Sequence, residues 1–101
     1  MKLLLITAVE EFEKNIKQIL KHSGVKSFSV QTAKGYKNDS AGELHNWFGI
    51  DDIAIDSVLF TVFAEYNCVE EIYKRVNLFN TTQSTTKSKI HLVSIQIEKT
   101  I

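Results

Sequence analysis

An α+β fold, with two helices on one face of a four-stranded antiparallel sheet, is predicted by three features of this sequence. Two stretches carry apolar residues at helical spacing, four short runs rich in β-branched, leucine or aromatic residues surround them, and their order is βαβ, a long polar connection, then βαβ. A chain of 101 residues, 44% hydrophobic and 24% charged, can cover one core and not two, so residues 1–101 are expected to form a single domain. Twelve basic residues balance twelve acidic ones, which leaves no long-range field of the kind that draws nucleic acid or an anionic membrane.

The elements follow in order along the chain. Leu3 to Ile6 is an apolar run, expected as the first strand and as ending at Thr7. Thr7 with Glu10 three residues on reads as a capping box, so the first helix is expected to open there. Phe12, Ile16, Ile19 and Leu20 then share one face, while Glu10/Lys14 and Glu13/Lys17 place acid before base on the outside, and Gly24 is the expected C-terminal cap. Val25 to Lys34 alternates through Phe28, Val30 and Thr32 and reads as a second strand reaching Gly35. From Tyr36 to about Ile55 neither period holds, and the stretch is expected as a long acidic loop. Val58 to Ala64 is the clearest strand, Asn67 with Glu70 reads as a second capping box, and Val69, Ile72, Tyr73, Val76 and Phe79 form the face of a second helix. Asn80 to Lys89 is a polar loop and Ile90 to Ile97 the last strand. The segments Ala8 to Ile16 and Cys68 to Val76 share four identities in nine positions, a trace of repetition between the two halves. Two such halves with right-handed crossovers give a ferredoxin-like βαββαβ sandwich with a long loop between strands 2 and 3.

The strands do not alternate as a sheet with one wet face should. Val58, Phe60 and Val62 lie opposite Leu59 and Phe63, and His91, Val93, Ile95 and Ile97 lie opposite Ile90 and Leu92, so both faces are apolar. Two helices cover only one of them. Exposure of the other would forgo about 1.5–3 kcal/mol per large side chain, and a homo-oligomer assembled through the open face is the simplest cover.

With these elements in place, the chain resembles the PII-type signal proteins, trimeric ferredoxin-like regulators of nitrogen control. Gly24-Val25-Lys26 leading into Val30 to Tyr36 is similar to that family's glycine-valine turn and its strand ending in Lys-Gly-aromatic before the large T-loop. Lys89-Ile90 resembles the Lys-Ile that opens the last strand after the nucleotide-binding B-loop. The resemblance implies a homotrimer that binds a small effector at its subunit clefts, through Lys34, Gly35 and Lys89, and controls a partner protein through a loop spanning residues 36–55. In that loop Tyr36, Trp47 and Phe48 are the expected partner contacts, the two adjacent aromatics having the character of interface anchors.

The departures narrow what the resemblance implies. Lys37-Asn38-Asp39 stands where typical members carry the Gly-Arg-Gln that helps hold a metal-bound keto acid, so keto-acid sensing is not expected. No tyrosine lies mid-loop for modification. Residues 81–89 contain no glycine where the family's B-loop is glycine-rich for close approach to phosphates, and Lys99-Thr100-Ile101 lacks the family's arginine-bearing C-terminal segment. The effector is left unnamed, and weak or absent nucleotide binding is expected. The ending Ile97-Glu98-Lys99 and the Trp-Phe-Gly in the loop resemble divergent PII-like proteins associated with heavy-metal efflux pumps, which makes a membrane transporter the expected class of partner.

The alternative reading is a trimeric metal-binding protein resembling CutA, using His45 with Asp51, Asp52 and Asp56, or Cys68 in the first turn of its helix. Against it, the better reading of the acidic loop is a solvated surface, and of Cys68 a small capping hydrophobe. Lys87 and Lys89 are further candidates to receive an anion. His91 reads as an interface or core imidazole. One cysteine excludes an internal disulfide, and the short apolar run at the start fits neither a secretory signal nor a membrane span, so the cytoplasm is the expected location. No nucleophile, base and orienting group occur at a readable spacing, and an enzyme is not expected.

Overall fold

The structure, a computed structural model, describes residues 1–36, 54–83 and 88–101. Trp47, Phe48, His45, Asp51, Asp52 and Lys87 therefore lie outside the described residues.

Strand β1 spans Lys2–Val9, a 3-10 turn Glu10–Phe12, helix α1 Glu13–His22, β2 Ser29–Tyr36, β3 Ala54–Ala64, helix α2 Tyr66–Thr82 and β4 His91–Gln96. The four strands form one sheet in the order β2-β3-β1-β4, every neighbour antiparallel. This is the expected βαββαβ sandwich. Alternate strand positions Leu4, Ile6, Ala8, Val58, Phe60, Val62 and Ala64 are buried under the helices, where they meet Ile16 and Leu20 of α1 and Val69, Ile72 and Val76 of α2. Phe12 and Phe79 close the outer end of this core edge-to-face at 5.0 Å, and Phe28 packs on Phe60 at 5.5 Å.

Three local expectations are corrected. The first strand does not stop at Thr7: β1 continues to Val9, with Thr7 paired to Leu59 on one side and His91 on the other. The Thr7–Glu10 capping box is therefore not made; Glu10 lies in the 3-10 turn, and α1 begins at Glu13 without a side-chain cap. A central strand flanked on both edges outcompetes one local hydroxyl bond, because each added residue finds a partner for its N–H and its C=O in one or the other neighbouring strand. The outer Glu13–Lys17 pair does form, at 2.8 Å. The second capping box fails for a different reason. Helix α2 opens at Tyr66, so Asn67 is already inside its first turn, where its Oδ1 accepts the Cys68 N–H at 3.0 Å. The apparent repeat likewise does not equate structures, since Val9 ends a strand while Val69 is buried within a helix.

The boundaries of the long connection also move. Gly35 pairs with Ile55 and Tyr36 with Ala54, so both ends of the stretch expected as loop belong to the β2–β3 ladder, and β2 begins at Ser29 and not at Val25.

The C-terminus of α1 closes as expected at Gly24. Its φ of +87° allows the Val25 N–H to donate to the Leu20 carbonyl at 3.0 Å and its own N–H to the Lys21 carbonyl at 3.2 Å. A Cβ at Gly24 would sit 3.7 Å from Cys68 Sγ, an ordinary contact, so the requirement there is conformational and not steric. Next to it, Ser23 Oγ is buried without a hydrogen-bond partner among the described residues. Opposite effects are expected at these adjacent positions. Gly24→Ala should lower stability by about 1 kcal/mol, whereas Ser23→Ala should leave it unchanged or raise it by up to about 1 kcal/mol. Urea denaturation of the two variants checks this; equal losses in both would contradict the assignment.

Candidate functional site

The sheet face away from the helices is ordered in rows by the strand register. Phe63, Leu3 and Ile95 form one row across β3, β1 and β4; Thr61, Leu5 and Val93 the next; Leu59, Thr7 and His91 the third. Phe63 is 57% exposed, Val93 54% and Ile95 43%, so the apolar second face expected from the strand pattern is present and uncovered in the single chain. Past Leu59 and Thr7 the face carries Val9, Ser57 and Ala33 and then Ile55 and Gly35, and this end of the sheet is where β2 and β3 enter and leave residues 37–53.

An open groove of about 570 Å³ lies there. Its walls come from the end of β1 (Thr7, Val9), the ladder of β2 and β3 (Gly35, Tyr36, Ile55, Ser57, Leu59) and the approach to β4 (Ser88, Lys89, His91). The fold thus brings Lys34, Gly35, Tyr36 and Lys89 together at one groove, although 52 positions separate Lys89 from residue 37 and a whole βα unit intervenes.

Their side chains do not all serve it equally. Lys34 pairs in register with Asp56, on the face that carries Thr32 and Val58, and its Nζ lies 3.3 Å from Asp56 Oδ1. Both partners are well exposed, so the pair contributes at most about 1 kcal/mol. It directs the lysine charge towards a smaller recess shared with Glu10 and Thr32 on that face. Lys89 is exposed and supplies the cation of the open-face groove. His91 and the hydroxyls of Thr7 and Ser57 join it, and no carboxylate side chain borders the groove among the described residues. The described lining thus offers a cation, an imidazole and two hydroxyls, of which that of Ser57 is given to the Ile55 carbonyl.

Gly35 is required by close packing. A Cβ there would fall 2.9 Å from Ser57 Oγ, whose hydroxyl donates to the Ile55 carbonyl at 3.1 Å.

Cys68 is at the other end of β3 from the groove, since α2 opens just after that strand ends. It is half-buried and packs against the core as a small hydrophobe. Among the described residues no three His, Cys, Asp or Glu side chains are grouped as metal ligands. His22, on α1, uses its Nδ1 at 2.8 Å from the Gln18 carbonyl. The sequence reading missed His91, Thr7 and Ser57 as groove residues, because only the cross-strand register places them side by side.

Against solved structures, the chain matches CPII, a nitrogen regulatory PII-like protein from Thiomonas intermedia K12 bound to ADP, AMP and bicarbonate. The TM-score is 0.63, with 15% identity over 99% of this chain and 94% of that one. It has the PII-like fold. A second match, the GlnK–ATP complex of B. subtilis, has a TM-score of 0.64 with 17% identity, over 93% of this chain and 80% of the other. At these identities the likeness is one of architecture. No family model matches the sequence, and no curated protein matches it. In the PII-like frame the groove falls between the base of the β2–β3 connection and the entry to β4, the two places from which the resemblance drew Lys34, Gly35 and Lys89. No helix among the described residues is long and apolar enough to cross a membrane.

The Gly35 contact yields a coupled prediction. Gly35→Ala should displace the Ser57 hydroxyl and cost about 1 kcal/mol, and most of that cost should vanish in a Ser57→Ala background, where no Oγ stands in the way. Thermal denaturation of the double-mutant cycle measures it; the same cost in both backgrounds would contradict the contact.

Proposed function

We propose that this protein is a non-enzymatic PII-like regulator of the cytoplasm, a homotrimer that buries its apolar sheet face by self-association. It takes a small anionic effector in the groove of Gly35, Lys89 and His91, which lies at the cleft between subunits. It controls a partner protein of the membrane-transporter class through the connection between β2 and β3, with Tyr36 at the base and Trp47 and Phe48 as anchors. The observation that carries this reading is the position of the groove: it borders the uncovered apolar face on one side and the start of the connection on the other. A ligand there touches both the surface that another subunit would cover and the strand ends from which the connection departs. Its binding therefore biases the population of connection conformers, and with it the affinity for a partner.

Adenine nucleotides and bicarbonate are the first effectors to try, because CPII was solved with ADP, AMP and bicarbonate and GlnK with ATP. The glycine-free stretch before β4 argues for weaker nucleotide binding than a glycine-rich loop would give. Calorimetric titration with ATP, ADP, AMP and bicarbonate should show one of them binding, and Lys89→Ala should weaken that ligand about tenfold, the loss of one charge-assisted hydrogen bond. Absence of heat and of thermal stabilisation with all four at millimolar concentration would remove the effector reading. Separately, Trp47→Ala and Phe48→Ala should each reduce capture of the transporter partner by affinity pull-down, and undiminished capture would remove their anchor role.

A further inference from the structure

Between Lys89 and His91, which the chain brings to the groove, Ile90 is held by a side chain of the preceding helix. Asn80, in the last turn of α2, makes a two-way pair with the backbone of Ile90: its Nδ2 donates to the Ile90 carbonyl at 2.9 Å, and its Oδ1 accepts the Ile90 N–H at 2.9 Å. That is the pairing one strand residue offers another, here supplied by an amide side chain. Ile90 precedes β4, and the register with β1 begins one residue later, at His91.

The geometry of the pair is specific to the groove residues. The Ile90 N–H belongs to the peptide plane shared with Lys89, and the Ile90 carbonyl to the plane shared with His91. Burial of the Ile90 side chain, 3% exposed, fixes how deep this residue sits but not how the two flanking planes are turned. Asn80 pins both. The platform it pins them to is itself fastened: the Thr81 and Thr82 hydroxyls each donate at 2.9 Å to the carbonyls of Leu78 and Phe79, and the Gln83 N–H donates to the Phe79 carbonyl at 3.1 Å. Asn80 does not line the groove.

We infer that Asn80 is a positioning residue of the effector groove, setting the orientation of Lys89 and His91 through Ile90 without touching the ligand. This rests on the reading of the groove as an effector site, and the test separates the two. Asn80→Ala removes both bonds. Asn80→Asp keeps the shape and the acceptor for the Ile90 N–H but turns a carboxylate oxygen towards the Ile90 carbonyl, and it carries the test if the alanine variant fails to fold. The measurements are amide hydrogen exchange and 15N relaxation of residues 88–91, together with titration of ATP, ADP and bicarbonate, all well below the melting temperature.

The expected result is faster exchange of the Ile90 amide and greater mobility confined to residues 88–91, with about tenfold weaker binding of whichever probe the wild type takes. Adding Lys89→Ala to the Asn80 variant should then cost less than it does alone, because the lysine is already misplaced. A purely structural role would lower the melting temperature yet leave affinity within twofold and the Lys89 effect additive, and that result would overturn the proposal. If the wild type takes up none of the three probes, the effector reading falls, and the exchange and relaxation of residues 88–91 alone decide the clamp: unchanged values in both variants overturn it, and loosening confined to those residues supports it.

Discussion

The constraint on which the rest depends is that this sheet is hydrophobic on both sides while the chain carries helices for only one. Leu4, Ile6, Phe60 and Val62 are sealed beneath α1 and α2, and their strand neighbours Leu3, Leu5, Leu59, Phe63, Val93 and Ile95 form the opposite face. A strand reverses its side-chain direction at every residue, so a continuous apolar run such as Leu3 to Ile6 fixes both faces at once. With Phe63, Val93 and Ile95 about half exposed and Leu3, Leu5 and Leu59 partly covered, the single chain forgoes several kcal/mol of burial, a large share of the stability of a domain this size. This is the physical ground for the proposed self-association through the open face.

The groove lies where the open face runs out. Along β1 that face runs Leu3, Leu5, Thr7, Val9, and along β3 in the reverse sense Phe63, Thr61, Leu59, Ser57, so the end that carries Thr7 and Ser57 coincides with the strand ends that lead into residues 37–53. The entry to β4 adds Lys89 and His91 from the other edge. Three segments distant in sequence converge at the rim of an apolar surface, next to the longest connection in the chain. The two-bond hold of Asn80 on Ile90 makes the arrangement of the groove a property of the helix end as well as of the sheet.

How much of this was legible in the sequence depended on whether the information was local. The alternation of Val58, Phe60 and Val62 against Leu59 and Phe63 is a period-two pattern within one strand, and it specified the core, the second face and the need for cover. The capping boxes at Thr7 and Asn67 were local patterns as well, and both misled: Thr7 was taken by two ladders, and α2 opened one residue before Asn67. Groove membership of Thr7, Ser57 and His91 was hidden because it depends on register between strands, and so was the pairing that directs the Lys34 charge to Asp56 on the other face. The Asn80 hold on Ile90 carries no sequence signature, since an asparagine at a helix end is ordinarily read as a turn residue.

The most direct test of the central claim is the mass of the protein in solution. Sedimentation equilibrium at micromolar and lower concentrations should give a species of three times the 11.5 kDa chain, and replacing Leu5 and Val93, which face each other in the middle row of the open sheet, by glutamate should dissociate it. A folded, stable single chain at those concentrations, with its open face in water, would contradict the account at its base.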